Sequence, residues 1–257
     1  MTPSPTEPSD DDVRASGVEG GIERVEHQVA SQIGPAWRRA TDGESRWPAS
    51  LAILVMIALQ LRLPDNLTPA GRLVLPAVEL VLLVVIVAVN PRRINRVRPG
   101  LRILGLTLIG LASLVNAWSV ARLVTGLLNG SFMANVAPHD QAGTLLTSGA
   151  NIWLTNVIIF ALWYWELDRG GPGSRATGED PDPDFLFPQM AENSIDFHHW
   201  EPEFVDYAYV SFTNAAAFSP TDTMPLTRWA KSAMMVQSAV SLVTAVLVIA
   251  RAVNILQ

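Results

Sequence analysis

Two charged residues stand inside long apolar stretches of this sequence. Glu79 belongs to the run Leu73–Val89, and Arg122 belongs to the run Ile103–Leu128, at a similar depth. A charge inside a bilayer is costly unless it is paired, so ionisable residues in such runs are candidates for function. We expect Glu79 and Arg122 to form a pair that joins two helices, and a proton or ion relay is the alternative.

A second set of candidates lies near the C-terminal end. An aromatic segment, Phe204–Phe218, is followed by a turn rich in Pro, Thr and Asp and then by the apolar run Ala230–Ile255. A short half-buried segment before a full-length apolar helix is typical of a re-entrant segment, which a membrane tolerates where protein covers it. The candidate residues of this segment are Thr213, Asn214, Phe218, Ser219 and Asp222.

Enzyme and metal chemistry have little support in the sequence. The chain has no cysteine, which excludes thiolate catalysis and cysteine-ligated metals. No nucleophile-elbow, phosphate-loop or dinucleotide-binding motif occurs. A group of metal-ligand residue types does occur, but it lacks the helical His spacing of a zinc site; its members are Asp196, His198, His199, Glu201 and Glu203. We predict no catalytic residues, no cofactor and no metal.

The elements that must position these residues are apolar runs near membrane-spanning length. A hydrocarbon core of about 30 Å needs about 20 helical residues. Phe204–Phe218 would reach only about 22 Å as a helix, so a re-entrant segment is favoured over a sixth span. The predicted fold is an all-α transmembrane bundle with five spanning helices and one short re-entrant or sixth helix. The five runs are Trp47–Leu63, Leu73–Val89, Ile103–Leu128, Leu145–Trp165 and Ala230–Ile255.

The arginines set the expected orientation. They crowd before the first run and between the second and third runs, whereas the loops Pro64–Gly71 and Asn129–Gly143 have neither Lys nor Arg. By the positive-inside tendency the N-terminus is cytoplasmic. The net charge of −6 does not indicate nucleic-acid binding, because the acidic clusters lie outside the apolar runs and most arginines flank them.

The same pattern divides the chain into five regions. A disordered tail, 1–20, precedes an amphipathic juxtamembrane segment, 21–46. A four-helix transmembrane region, 47–166, is followed by a cytoplasmic loop with little regular structure, 167–203. The pore-like segment and the last transmembrane helix occupy 204–257.

Several blocks resemble a family of uncharacterised multi-pass membrane proteins of actinobacteria. The resemblance extends from Trp47 onward and implies a location in a bacterial cell membrane, but it implies no mechanism. The blocks that carry it are Trp153–Asn156, Trp163–Pro172, Asp184–Met190 and Ser211–Thr227.

The stretch from Tyr209 to about Val253 is similar to the pore unit of two-transmembrane potassium channels. Ser211–Thr213 matches the pore helix, Asp222 the acidic residue after the filter, and Pro225–Thr227 the start of the inner helix. The filter departs from that family, because Ala217–Thr221 stands where the channels have Thr-Val-Gly-Tyr-Gly. Glycines allow the positive φ that aims carbonyl groups at the ion, so a potassium-type carbonyl ladder is not expected here.

Two classes of function stay open. The first is a channel-like or transport-related protein, with monovalent ions as partners and with Phe218, Ser219 and Asp222 lining its constriction. The second is a non-catalytic membrane scaffold whose cytoplasmic loop and arginine-rich segment recruit a partner. A pore requires Asn214, Ser219 and Asp222 to face a shared axis, whereas a scaffold buries them in hydrogen bonds within one protomer. In both classes the partners include the lipid bilayer and further copies of the chain in a homo-oligomer.

Overall fold

A computed structural model of the chain describes residues 36–69, 71–89, 93–94, 98–134, 136–178, 182–191, 200–216 and 222–256. Several predictions concern residues outside these ranges. They include the disordered tail at 1–20, the amphipathic pattern that follows it as far as residue 33, and the side chains of Asp196, His198, His199, Phe218 and Ser219.

The described chain is mostly helical, as the apolar runs predict. Every predicted apolar run forms a helix whose ends lie within a few residues of the predicted ones, which confirms the all-α class. The α-helices are α1 (Trp47–Gln60), α2 (Val74–Val89), α3 (Pro99–Leu128), α4 (Gln141–Leu167), α5 (Pro172–Thr177), α6 (Pro188–Ala191), α7 (Phe204–Ala216) and α8 (Arg228–Leu256). Short 3₁₀ helices occupy Ala36–Arg38, Asp65–Leu67, Ser131–Met133, Pro138–Asp140 and Asp168–Gly170.

Three helices, α3, α4 and α8, are long and apolar enough to cross a membrane. Helices α1 and α2 are also apolar but have 14 and 16 residues. At about 1.5 Å per residue they reach about 21 and 24 Å, less than the thickness of a typical hydrocarbon core. The three long helices indicate a membrane protein, and length alone does not support α1 and α2 as the other two of the five predicted spans.

Local residue choices account for several helix ends. Pro99 opens α3 and Pro172 opens α5, at positions where a missing backbone N–H costs nothing because the first helical N–H groups have no partner inside the helix. Gly130 follows the end of α3 with a φ of 69°, the left-handed conformation that glycine adopts at low cost. These residues set the length of α3 and start the short helix α5 after the bundle.

Helix α4 is the centre of the bundle. It packs against α1, α3, α7 and α8, and 56% of its most apolar stretch is buried, compared with 33% for α3 and 28% for α8. Gly149 brings α4 close to α8, since a Cβ at this position would lie 2.7 Å from a methyl group of Val248. The core forms along this central helix.

Two small antiparallel ladders show which helix ends lie together. Strand β1 (Glu44–Ser45), before α1, pairs with β2 (Arg93–Ile94), after α2. Strand β3 (Phe185–Leu186), in the segment after α4, pairs with β4 (Met224–Pro225), before α8. Each ladder therefore ties the start of one helix to the chain that follows another.

Contacts between the ladders and α4 complete this end of the bundle. Glu44 in β1 accepts a hydrogen bond from Trp165 near the end of α4, and Asp168 after α4 holds the backbone N–H of Phe185 in β3. The starts of α1, α3 and α8 thus lie beside the ends of α2 and α4. We call this the Arg-rich end, because it carries Arg46, Arg98, Arg102, Arg175 and Arg228.

Helix α7 begins at the Arg-rich end and stops before it reaches the opposite end of the bundle. Its first residue, Phe204, packs edge-on against Trp165 with the ring centroids 5.9 Å apart. Near its last turn, Asn214 contacts Gln237, nine positions into α8. The chain is back at the Arg-rich end by Pro225, which pairs with Phe185. With 13 residues, α7 is a short helix inserted beside α4 and α8.

The segment after α4 is more ordered than its Gly, Pro and Asp content predicts. Residues 168–178 form a 3₁₀ turn and α5, and residues 182–191 form β3 and α6. Arg169 adopts a φ of 51° at the break between α4 and α5. The prediction of little regular structure in 167–203 is therefore wrong for these two stretches, because distant residues hold them.

Candidate functional site

The polar residues of the pore-like segment meet around Gln237. This side chain is fully buried on α8. Its Nε2 donates to the carbonyl and hydroxyl oxygens of Ser211 at 2.9 and 2.6 Å. Its Oε1 accepts from the Tyr164 hydroxyl at 2.6 Å and from the Asn214 amide at 2.7 Å. All four hydrogen-bonding positions of the amide are thereby used.

Asn214 is bound on every side by its own chain. Its Nδ2 also donates to the carbonyl oxygen of Met234 at 3.0 Å, and its Oδ1 accepts from the Ser238 hydroxyl at 3.0 Å. Thr213 donates to the carbonyl oxygens of Tyr209 and Val210 in its own helix. These contacts match the arrangement expected of a scaffold, in which Asn214 is satisfied inside one protomer.

Among the other pore-like candidates, the described residue Asp222 does not join this network. Asp222 is exposed, just before β4 at the Arg-rich end. Phe218 and Ser219 lie outside the residues that the structure describes. Whether Asn214, Ser219 and Asp222 face a shared axis, as a pore requires, stays a prediction.

A second interhelical polar contact lies beside this network. Asn156 on α4 donates to the Ser241 hydroxyl at 3.0 Å and to the carbonyl oxygen of Gln237 at 3.4 Å. Ser211 extends the connection by donating to the carbonyl oxygen of Val157 at 2.6 Å. Helices α4, α7 and α8 are thus joined by interhelical hydrogen bonds, which explain these polar residues without a transported substrate.

Glu79 and Arg122 have different partners from the predicted pair. The Glu79 side chain is fully buried, and its Oε1 accepts a hydrogen bond at 3.3 Å from the Gln60 amide on α1. Arg122 is exposed, and its Nε donates to the carbonyl oxygen of Asn66 at 3.3 Å. The prediction of a Glu79–Arg122 pair is corrected to two separate contacts, because Gln60 and the 3₁₀ turn at 65–67 lie nearer.

A buried ion pair anchors the chain before α1 to the segment after α4. Arg175 on α5 donates from Nε to Glu44 Oε1 at 2.7 Å, and both side chains are about 95% buried. Arg175 Nη1 also donates to the carbonyl oxygens of Trp165 and Asp168, each at 2.8 Å. The other Glu44 oxygen accepts from the Trp165 indole at 2.6 Å. Such hydrogen bonds are needed to offset the desolvation of a buried pair.

Asp168 and Asp184 join the same assembly to α7 and α8. Asp168 accepts hydrogen bonds from the Tyr207 hydroxyl at 2.6 Å and from the backbone N–H of Asp184 at 2.8 Å. Asp184 in turn accepts from the Trp229 indole at 2.7 Å and from the backbone N–H of Arg169 at 3.0 Å. We call residues 168–178 and 182–187, with Glu44, Tyr207 and Trp229, the cap.

Sequence reasoning did not identify the cap. Glu44 and Arg175 are 131 positions apart, and neither lies in an apolar run. Trp163, Tyr164 and Trp165 look like an interfacial aromatic belt in the sequence, whereas each donates a hydrogen bond to a distant part of the chain. The sequence signal that could have indicated the cap is the occurrence of acidic and basic residues together with Trp and Tyr at the ends of the apolar runs.

These clusters hold structure and show no arrangement for bond-making chemistry. Within the described ranges, no group of three or more acidic or histidine side chains is placed to hold a metal ion. The acidic groups of the cap are bound to Arg, Trp, Tyr and backbone N–H donors. These contacts join helices and the segments that connect them.

Comparison with protein-family models, with curated proteins and with solved structures finds no match to this chain. The resemblances to the actinobacterial family and to the potassium-channel pore unit stay predictions.

Proposed function

We propose that this chain is a non-conducting scaffold of the bacterial cell membrane, with an ordered cap on the cytoplasmic side. The observation that carries the proposal is the binding of Asn214. Its amide nitrogen donates to Met234 and Gln237, and its amide oxygen accepts from Ser238, all in the same chain. An ion pathway along α7 would need such groups to face an open axis.

The proposed topology has five crossings and one re-entrant helix. Helices α1, α2, α3, α4 and α8 each connect the Arg-rich end with the opposite end of the bundle. The short helices α1 and α2 can be accommodated by local thinning of the bilayer and by flanking residues such as Arg62 and Arg72. The Arg-rich end is cytoplasmic by the positive-inside tendency, and the C-terminus is then outside.

The scaffold role also rests on the cap. Its buried ion pair, Glu44–Arg175, and the aspartates at 168 and 184 hold a folded surface at the Arg-rich end. A fixed surface of this kind suits the recruitment of a partner at the membrane. The homo-oligomer remains part of the proposal, and monovalent ions remain partners of the channel alternative.

Ion flux decides between the two classes. Purified protein is reconstituted in liposomes, and potassium flux is measured for the wild type, Asp222→Ala and Asn214→Ala, with gramicidin added afterwards as a positive control. The scaffold predicts flux equal to that of empty liposomes in all three samples. Flux in the wild type that either substitution changes would instead establish a pore built from this segment.

The absence of cysteine in the sequence allows a direct test of the topology. Single variants Asp65→Cys, Asp222→Cys and Asn254→Cys are labelled in intact cells with a membrane-impermeant maleimide. The proposal predicts labelling at 65 and 254, and labelling at 222 only after permeabilisation. Labelling of Asp222→Cys from outside would mean that α7 crosses the membrane as a sixth span.

A further inference from the structure

A small cavity of about 70 Å³, open at its mouth, lies between α1, α2, α3 and α4 at the Arg-rich end. The deeper wall is aliphatic and is formed by residues such as Ile53, Leu83, Leu108 and Leu162. Residues 170–174 of the cap complete its lining, whereas the Gln237 network lies elsewhere in the bundle.

The polar wall of the cavity is cationic. Arg46, Arg98 and Arg102 line it together with one acidic side chain, Glu166. Three positive groups against one negative group leave a net positive site. The carboxyl group of Glu166 lies near Gly105 and Gly171, and its charge acts on Arg46 and Arg102.

Two of these arginines have buried donors without a partner. The Nε atoms of Arg46 and Arg102 are buried and make no hydrogen bond with any residue that the structure describes. Burial lowers the pKa of the Arg46 guanidinium, and the Glu166 charge raises it only in part. A buried donor that lacks a partner costs free energy, and both of these arginines also line the cavity.

The helix starts add to the positive potential. Arg46 precedes α1 and Arg98 precedes α3, and neither helix has an acidic residue in its first turn. Helix N-termini carry partial positive charge, so a cation there is unfavourable and an anion is favourable. The positive-inside tendency explains why arginines lie at this end, but it does not explain why their Nε groups are buried around a cavity.

We propose that this cavity binds an amphiphile with a phosphate-bearing head and an apolar chain, of the kind supplied by anionic membrane lipids. Arg46, Arg98 and Arg102 contact the phosphate oxygens, and guanidinium groups match phosphate geometry well. The aliphatic wall between α1 and α4 takes the first part of the chain. A lipid in the cytoplasmic leaflet has its head at this end and its chain along the helices.

The test measures binding of tritiated dihexanoyl-phosphatidic acid to the full chain in detergent by equilibrium dialysis. Inorganic phosphate and dihexanoyl-phosphatidylcholine are the competitors, each at the same concentration. We expect saturable binding that neither competitor displaces. Displacement by inorganic phosphate would mean that the cavity recognises a free anion, and displacement by phosphatidylcholine would mean that it is an apolar groove without charge recognition. Either result overturns the proposal.

The arginines are tested against a matched residue at the other end. Arg46→Gln and Arg102→Gln should each weaken binding about tenfold or more, because each removes a charge-assisted contact. Arg122→Gln, which alters an exposed arginine far from the cavity, should bind like the wild type. Equal Kd values in all three variants would contradict the site.

A pair of glycine variants tests the cavity without removing charge. A Cβ at Gly105 meets nothing closer than the Glu166 carboxyl group at 3.9 Å, so Gly105→Leu adds a side chain that occupies the cavity. A Cβ at Gly110, on the same helix, meets nothing within 4 Å, and Gly110→Leu is the control. Gly105→Leu should lose binding of the phosphatidic acid, whereas its elution volume and its unfolding should match those of Gly110→Leu. Normal binding by Gly105→Leu would show that the lipid binds elsewhere.

Discussion

The Gln237 network and the arginine-lined cavity are two polar regions of one apolar bundle, and they treat their polar groups in opposite ways. Around Gln237, every donor and acceptor of the amide is used by Ser211, Tyr164 and Asn214. In the cavity, the Nε groups of Arg46 and Arg102 have no partner among the described residues. Satisfied groups of this kind stabilise a fold, whereas a buried donor without a partner costs free energy.

The largest effect is expected at the partnered arginine of the cap. Arg175→Gln leaves Glu44 buried without its cation and should lower the free energy of unfolding by about 3–5 kcal/mol. The control is Arg93→Gln, whose ion pair with Asp42 is 3.7 Å long and exposed, and which should cost about 0–1 kcal/mol. Chemical unfolding of the detergent-purified proteins measures both. Equal losses would show that the cap does not contribute to stability.

Steric packing provides the next contrast. Gly149→Leu places a side chain against Val248, whose methyl groups would lie within 3 Å of the new Cβ, and should cost about 1–3 kcal/mol. Gly105→Leu, which faces the cavity, should cost nothing or stabilise α3 slightly through its better helix propensity. The apparent Tm of the two variants checks this order. Combining Gly149→Ala with Val248→Ala should be less destabilising than Gly149→Ala alone.

Loss of the central amide is expected to have a similar or slightly smaller effect. Gln237→Leu leaves Tyr164, Asn214 and Ser211 without a shared partner and should cost about 1–3 kcal/mol. Gln141→Leu, at the start of α4, removes a single part-buried hydrogen bond to Val136 and serves as the control. Thermal unfolding in detergent compares them. A Gln237→Leu protein as stable as the control would show that the network adds nothing to helix packing.

The smallest effect is expected in the cavity. Arg102→Met removes a guanidinium with an unpartnered donor, so the free energy of unfolding in lipid-free detergent should change by less than about 1 kcal/mol. The same measurement used for Arg175→Gln applies. If Arg102→Met lowered the free energy of unfolding about as much as Arg175→Gln does, Arg102 would be a structural residue. The contrast between the cavity and the hydrogen-bonded regions of the bundle would then fail.

The helices could be predicted from the sequence because their signal is local. The run Trp47–Leu63 becomes α1 at Trp47–Gln60, and Phe204–Phe218 becomes α7 at Phe204–Ala216. A continuous apolar stretch determines a helix by itself, whatever packs against it. The interhelical bonds of Asn156 and Ser241 were also predictable, since polar residues at one depth of a bundle seek each other.

The remaining contacts depend on residues far apart in the chain, which a local pattern does not reveal. Glu79 was expected to meet Arg122 because the two lie at similar depth, but the Gln60 amide is nearer. The loop after α4 reads as irregular because Gly, Pro and Asp dominate it, yet Glu44 and Tyr207 order it from other parts of the chain. The cavity is likewise made by arginines from two separate helix starts.

The position of Gln237 on the last helix has a consequence for biosynthesis. Tyr164 is made 73 residues before its partner Gln237, so α4 leaves the ribosome with polar groups that nothing in the nascent chain can yet satisfy. A chain that stops before Arg228 lacks the α8 partners of Tyr164, Asn156 and Asn214, so synthesis of the last helix completes the polar network.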